Sequence, residues 1–268
     1  MIPPGEVARL AHRARVSDKT IEADYVLTWT LLALANLSLR NTLAFKGGTA
    51  LKKMYVPDYR FSEDLDFTVL EKISNADLLV EFEKLFVWLR REVNLTVAVR
   101  RLEIHVTGNP ALYLNYIGPL QGNLESRFFK VDFTHNEQIV FPLSELPVKS
   151  PYSDCQQRLE TLCVYSPEEI LVEKLCALLG RTEPRDLYDI HYIFEHDLAD
   201  IETVSYKIGD KMALKGLQQT ALRDVLARKH HALERLWELR LRGQMPELPS
   251  LETVIRETER HLRRCGLI

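Results

Sequence analysis

The chain has 268 residues, 46% hydrophobic and 27% charged, with a formal net charge of −3. That length supports one large domain or two modest ones around a substantial core, and the slightly acidic balance excludes a protein that coats nucleic acid indiscriminately, while leaving room for a local basic face. Cys155, Cys163, Cys176 and Cys265 form no CxxC pair, which argues against a cysteine zinc site or a disulfide framework and for a reducing compartment. The opening Met1 to Glu6 lacks the build of a signal peptide, and no apolar run approaches roughly 18 residues, so a cytoplasmic protein without a membrane span is expected.

In chain order, Ser17 caps a predicted helix whose stripe of Ile21, Tyr25, Trp29, Leu32 and Asn36 should pack over a sheet. Leu43-Ala44-Phe45 reads as a short strand ending at Gly47-Gly48, and Thr49 to Met54 as a helix start with Thr49 as its candidate N-cap. Two glycines let the backbone turn tightly beside a ligand, and the free N–H groups of a helix start suit phosphate. Asp64 to Val69 alternates with a strand period, so Asp64 and Asp66 share one face and Leu65, Phe67 and Val69 the other. Two adjacent carboxylates repel, and a divalent cation relieves the repulsion; hard oxygen ligands select Mg²⁺ or Mn²⁺.

Ser74 starts a second amphipathic helix running to about Arg91. From Leu95 to Tyr116 three period-two runs read as antiparallel strands joined by turns, and Phe128 to Thr134 is a further strand with Asp132 on its polar side. Residues 141–164 are rich in Pro, Ser and polar residues and read as an irregular connection. Ser166-Pro167-Glu168-Glu169 then opens a helix to Gly180, with Lys174 amid its apolar residues and Arg181 near the same azimuth. Such a lysine requires an anion. Pro184 opens another helix, and from Ser205 onward the chain reads helical and basic, roughly +5 over Arg223, Arg228, Lys229, Arg235, Arg240 and five later arginines, with a break at residues 243–249.

The pairing of Lys46-Gly47-Gly48-Thr49-Ala50-Leu51 with Arg60-Phe61-Ser62-Glu63-Asp64-Leu65-Asp66-Phe67 resembles the nucleotidyltransferase superfamily of polymerase-beta-like fold, and in its fuller form the AbiEii/AbiGii family, the toxin half of type IV toxin–antitoxin pairs. The block from Lys174 through Arg181 to Asp186 and Asp189 extends the resemblance over residues 40–195. It implies an α+β fold in which a nucleotidyltransferase-type mixed sheet flanked by helices (residues 1–165) is followed by a helical part (166–268) contributing Lys174 and Asp186 to the cleft. Catalytic roles fall by resemblance on Asp64, Asp66, Asp132, Lys174 and Asp186, metal binding on Asp64, Asp66 and Asp132, and nucleotide binding on Lys46, Gly47, Gly48, Thr49, Ser62, Lys174 and Arg181. Asp132 would bind metal or accept a proton.

The expected activity is Mg²⁺- or Mn²⁺-dependent transfer of NMP from an NTP to a macromolecular hydroxyl, with an RNA acceptor such as the tRNA 3′ end and a cognate antitoxin as partners. Transfer to a protein hydroxyl uses the same constellation. A non-catalytic nucleotide-binding regulator is the reading from a different class; it has no need for several carboxylates whose repulsion is relieved by metal.

Overall fold

The computed structural model describes residues 1–268, which divide into two units, residues 1–137 with 143–164 and residues 138–142 with 165–268. The first unit contains helices α1 (Pro4–Ala14), α2 (Asp18–Ala35), α3 (Gly47–Ala50) and α4 (Asn75–Val93), and strands β1 (Leu43–Lys46), β2 (Asp64–Val69), β3 (Thr96–Ile104), β4 (Pro110–Ile117), β5 (Phe128–Thr134), β6 (Leu143–Pro147) and β7 (Thr161–Tyr165). Local chemistry sets the helix starts: the Ser17 hydroxyl accepts from the Thr20 N–H at 3.1 Å, and the Ser74 hydroxyl from the Asp77 N–H at 3.1 Å.

The strands form one mixed sheet in the order β3-β4-β5-β2-β1-β7-β6. β1 runs antiparallel to β2 and parallel to β7, while β2 runs parallel to β5. Pleating separates two chemistries here. One rung across β1, β2 and β5 is Phe45, Phe67 and Phe133, all buried, with ring centroids 5.2 and 6.0 Å apart, and Phe82 of α4 meets Phe133 edge-on at 5.8 Å. The next rung, one residue along and so on the opposite face, is Lys46, Asp66 and Asp132. A one-residue slip would exchange three phenylalanines for two carboxylates and a lysine in the core, which makes the register strongly specified.

Three expectations need correction, and one helix is additional to them. Thr49 is not an N-cap: α3 begins at Gly47 behind Lys46, because the positive φ of Gly47 turns the chain two residues earlier. The runs from Leu95 and Leu102 are one strand, β3, in which a register shift between Val99 and Arg101 changes the face presented. Residues 141–164 are not wholly irregular. They supply β6 and β7, too short and too rich in polar residues to show a clear period. Finally, α1 lies in a stretch that composition marks only by Pro4 at the first helical position.

The second unit is helical, with α5 (Pro167–Gly180), α6 (Pro184–Glu195), α7 (Ile201–Leu214), α8 (Leu222–Leu241) and α9 (Leu251–Arg264). Ser166 caps α5 as its sequence requires. Glu169 does not complete a reciprocal capping box. Its buried carboxylate accepts from the N–H groups of Val140 and Phe141 at 2.9 and 2.8 Å and from Lys211 at 2.7 Å, which ties residues 138–142 to this unit. Asp200 starts α7 earlier than the apolar pattern suggests, accepting from the Glu202 and Thr203 N–H groups. No helix is long and apolar enough to cross a membrane.

Candidate active site

On the polar sheet face of the first unit, Asp64 and Asp66 stand two residues apart on β2, and Asp132 stands beside Asp66 on β5. All three sequence-selected carboxylates of the strands therefore share one face. Gly47 turns at φ +78°, and a Cβ there would lie 2.6 Å from an Asp66 carboxylate oxygen. Only glycine lets the β1–α3 turn pass this close to Asp66. Thr49 is buried, and its hydroxyl donates at 2.6 Å to the backbone carbonyl of Asp64, pinning α3 to the start of β2. Thr49 thus shapes the site through backbone, with its hydroxyl already engaged.

The segment between α3 and β2 is fixed by Lys52, whose ammonium donates to the carbonyls of Pro57 at 2.9 Å and Tyr59 at 2.8 Å and lies 4.0 Å from the Phe61 ring centre. Burial pushes the Lys52 pKa down to about 8, against the opposing pull of Asp24. Ser62, on this segment, is buried two residues before Asp64.

Two basic side chains that the sequence reading did not select lie against Asp132. Lys130 pairs with it at 2.8 Å, and the His105 ring approaches it at 3.5 Å. Burial works against the charge on Lys130, but the hydrogen bond and charge of Asp132, aided by Asp64, hold its pKa raised. Lys130 neighbours Asp64 in register, so it spans two of the carboxylates. The available signal was its position two residues before Asp132 on the same strand face.

The rung containing Lys130 continues outward as Tyr113 on β4 and Arg101 on β3. Arg101 lies 3.9 Å over the Tyr113 ring and Arg100 4.6 Å over Phe128, with Tyr113 and Phe128 6.0 Å apart. The β3 bulge brings both consecutive arginines to this aromatic pair. Phe128 is 49% exposed.

In the second unit, Lys174 is held between Asp186 at 2.9 Å and Asp189 at 2.7 Å, and Arg181 donates to Asp186 at 2.7 and 3.0 Å. Both carboxylates are fully buried. Burial alone would raise the Asp186 pKa, yet Lys174 and Arg181 together hold it lowered. Lys174, Arg181 and Asp186 are thus brought together as the sequence block suggests, with Asp189 as a fourth member. Of the basic C-terminal residues, Lys229 is spent on backbone: it donates to the carbonyls of Leu178 at 2.5 Å and Arg181 at 2.5 Å at the end of α5.

A mixed sheet with a glycine turn closing on paired aspartates and a third carboxylate on the adjoining parallel strand defines the nucleotidyltransferase class of fold. The family model described as "Nucleotidyl transferase AbiEii toxin, Type IV TA system" matches residues 29–259, and the chain belongs to that family. Among solved structures it is similar to MenT4, a nucleotidyltransferase toxin from Mycobacterium tuberculosis, with TM-score 0.70 and 18% identity over 99% of this chain and 90% of that one. It is also similar to JHP933 from Helicobacter pylori, with TM-score 0.59 and 17% identity over 93% of each chain. At these identities the two structures establish the fold alone. No curated protein matches the chain.

Proposed function

We propose that the protein transfers a nucleoside monophosphate from an NTP to a hydroxyl of an RNA acceptor, with Mg²⁺ or Mn²⁺ as cofactor. The observation that carries this is the rung Lys46, Asp66, Asp132, with Gly47 folded against the Asp66 carboxylate and Asp64 two residues away. The donor set fits a hard divalent cation: it is all carboxylate oxygen, on one face, and already draws a positive group, Lys130, into contact with Asp132. When bound there, such a cation would neutralise triphosphate charge and lower the pKa of an attacking hydroxyl. Gly47 and Gly48 offer backbone N–H groups to phosphate, Lys46 and Ser62 are further nucleotide-binding groups, and Asp132 binds metal or accepts the proton of the acceptor hydroxyl. Lys174, Arg181 and Asp186 belong to the proposal as phosphate-side groups, Lys174 being oriented by Asp186 and Asp189.

An RNA acceptor is favoured over a protein hydroxyl by the aromatic and arginine strip of Arg100, Arg101, Tyr113 and Phe128, which leads along the sheet to Lys130 and Asp64. An exposed Phe128 ring and a half-buried Tyr113 ring with adjoining guanidinium groups suit stacked bases and phosphates. The same reading carries a tRNA 3′ end as acceptor, a cognate antitoxin and a cytoplasmic place of action, where NTPs are drawn. Incubating the protein with each labelled NTP, Mg²⁺ and either total RNA or RNA-depleted lysate tests it. Label on RNA with pyrophosphate release, lost in Asp66→Asn, is the expected outcome. Label on protein alone would move the acceptor assignment, and tight NTP binding without turnover would replace the enzyme by a nucleotide-binding regulator.

A further inference from the structure

Within the second unit, His191 and Glu195 stand one helical turn apart on α6, and Glu257 and His261 one turn apart on α9. The rungs are matched in reverse chemistry: the His191 ring nitrogen lies 2.8 Å from a Glu257 oxygen, and the His261 ring nitrogen 2.5 Å from a Glu195 oxygen. Two imidazoles and two carboxylates therefore form two His–Glu pairs between α6 and α9. Ligand atoms of His191, Glu195 and Glu257 all lie within 4.8 Å of one another. The His261 ring is held flat against Phe194, at 5.1 Å and 1° between planes, which fixes its direction.

We infer that His191, Glu195 and Glu257 form a binding site for a divalent transition-metal ion, with Zn²⁺ the best match, that clamps α9 to α6, His261 turning in from beside Glu195 to supply the fourth ligand. Two neutral imidazole nitrogens and two carboxylate oxygens make a neutral tetrahedral complex with a dication. Bonds of about 2.0–2.1 Å place tetrahedral ligand atoms roughly 3.3 Å apart. The 2.8 Å rung must open by roughly half an ångström and the 2.5 Å rung by nearly one, while the wider separations among His191, Glu195 and Glu257 must close, movements made by side-chain rotation. Imidazole selects Zn²⁺ over Mg²⁺, which distinguishes this set from the all-oxygen face of the strands. Two arginines adjoin the patch: Arg256 lies 3.6 Å from the Glu257 oxygen that His191 does not contact, whereas Arg260 lies 2.8 Å from the Glu195 oxygen that His261 approaches and 3.5 Å from the His261 ring nitrogen, so an incoming ion must displace the Arg260 guanidinium. A cavity of about 580 Å³ lined in part by Phe194, His261 and Cys265 adjoins the His261 side of the cluster.

The test is zinc and cobalt binding by the full-length protein after chelator treatment and dialysis. Expected are one Zn²⁺ per chain beyond any carboxylate-face binding, tetrahedral Co²⁺ absorption bands, and a thermal midpoint raised by roughly 5 °C or more at zinc concentrations about 100 times Kd. His191→Gln and Glu257→Gln should each weaken binding on the order of 10–100-fold and remove the thermal shift. Asp66→Asn should retain both, separating this site from the catalytic face. Should a variant fail to fold without metal, His261→Gln provides the same readout from the opposite corner. The proposal is overturned if no cobalt band and no zinc-dependent shift appear, if both variants bind as the parent does, or if Asp66→Asn abolishes the effect; the four residues would then be two His–Glu ion pairs only.

Discussion

The α-carbon of Gly47 faces Asp66 so closely that an added Cβ would sit 2.6 Å from its carboxylate oxygen. That contact joins the turn proposed for phosphate to the strand proposed for metal, so the two halves of the candidate site cannot be varied independently. Gly47→Ala meets two penalties: a left-handed backbone costing about 1–2 kcal/mol for a residue with Cβ, and displacement of Asp66. The expected result is a lower thermal midpoint with nucleotidyl transfer reduced at least tenfold. A folded Gly47→Ala protein with parental activity would show that the close approach has no catalytic meaning.

Lys130 places positive charge against Asp132 and in register with Asp64. A divalent cation at these carboxylates must compete with it. Lys130→Met should therefore lower the half-saturating Mn²⁺ concentration several-fold, by an interaction on the order of 1 kcal/mol at a partly exposed pair. Mn²⁺ titrations of nucleotide transfer or of Mn²⁺ relaxation read this directly. A rise in the half-saturating concentration would mean that Lys130 supports the bound state instead.

Much of this site was legible because strand alternation fixes which side chains share a face: Asp64 and Asp66 follow from period two alone, and Asp132 from the same rule on β5. What could not be read is lateral. Sequence does not say that β5 lies beside β2, and so Lys130 and the rung through Tyr113 to Arg101 had no address until the strand order was known. β7 escaped because a five-residue strand bordered by polar and proline residues carries too few positions to establish a period. Thr49 was misassigned because hydroxyl residues favour caps, whereas the positive φ available to Gly47 starts the helix first.

The buried cluster of Lys174, Asp186 and Asp189 makes the obvious loss-of-function variant ambiguous. Lys174→Met leaves two buried carboxylates, with Arg181 still paired to Asp186. Breaking a buried charge cluster in this way costs about 3–5 kcal/mol. Removing charge from both sides, in Lys174→Met/Asp189→Asn, should recover much of that stability in chemical denaturation without restoring transfer. If the double variant regains activity along with stability, Lys174 acts through the fold and has no role at phosphate.

Acid should unfold the protein through the same kind of group. Burial tends to raise the Asp24 pKa, but Lys53 at 2.6 Å, Lys52 and the Tyr152 hydroxyl hold it below 3.8, its ordinary value; Asp186 is likewise held low. An acid with a depressed folded pKa binds fewer protons folded than unfolded, so its stabilisation is present above its ordinary pKa and disappears as pH falls through the folded value. Denaturation midpoints should therefore fall as pH drops below about 4, and Asp24→Asn should reduce the proton-linkage slope there by up to about one proton. An unchanged slope would remove Asp24 from the acid response.

The acceptor side can be tested through rings rather than charges. Arginines of the C-terminal helices are partly neutralised by neighbouring glutamates, as in Arg242 with Glu238 and Arg263 with Glu259, and Lys229 is committed to the end of α5. Tyr113 and Phe128, by contrast, present faces beside Arg101 and Arg100 on the sheet that carries the carboxylates. Base stacking on an aromatic ring contributes about 1–3 kcal/mol per base. Phe128→Ala should raise KM for RNA roughly fivefold or more, with kcat and NTP affinity little changed, because contacts away from the reacting phosphorus bind ground and transition states alike. Phe128→Leu keeps apolar bulk without the π-face and should behave like the alanine variant if stacking is the cause. Reversal of Arg228 and Arg235 should have the smaller effect. The opposite ranking, with KM insensitive to Phe128 and sensitive to the α8 charges, would move the RNA path from the sheet to the helices.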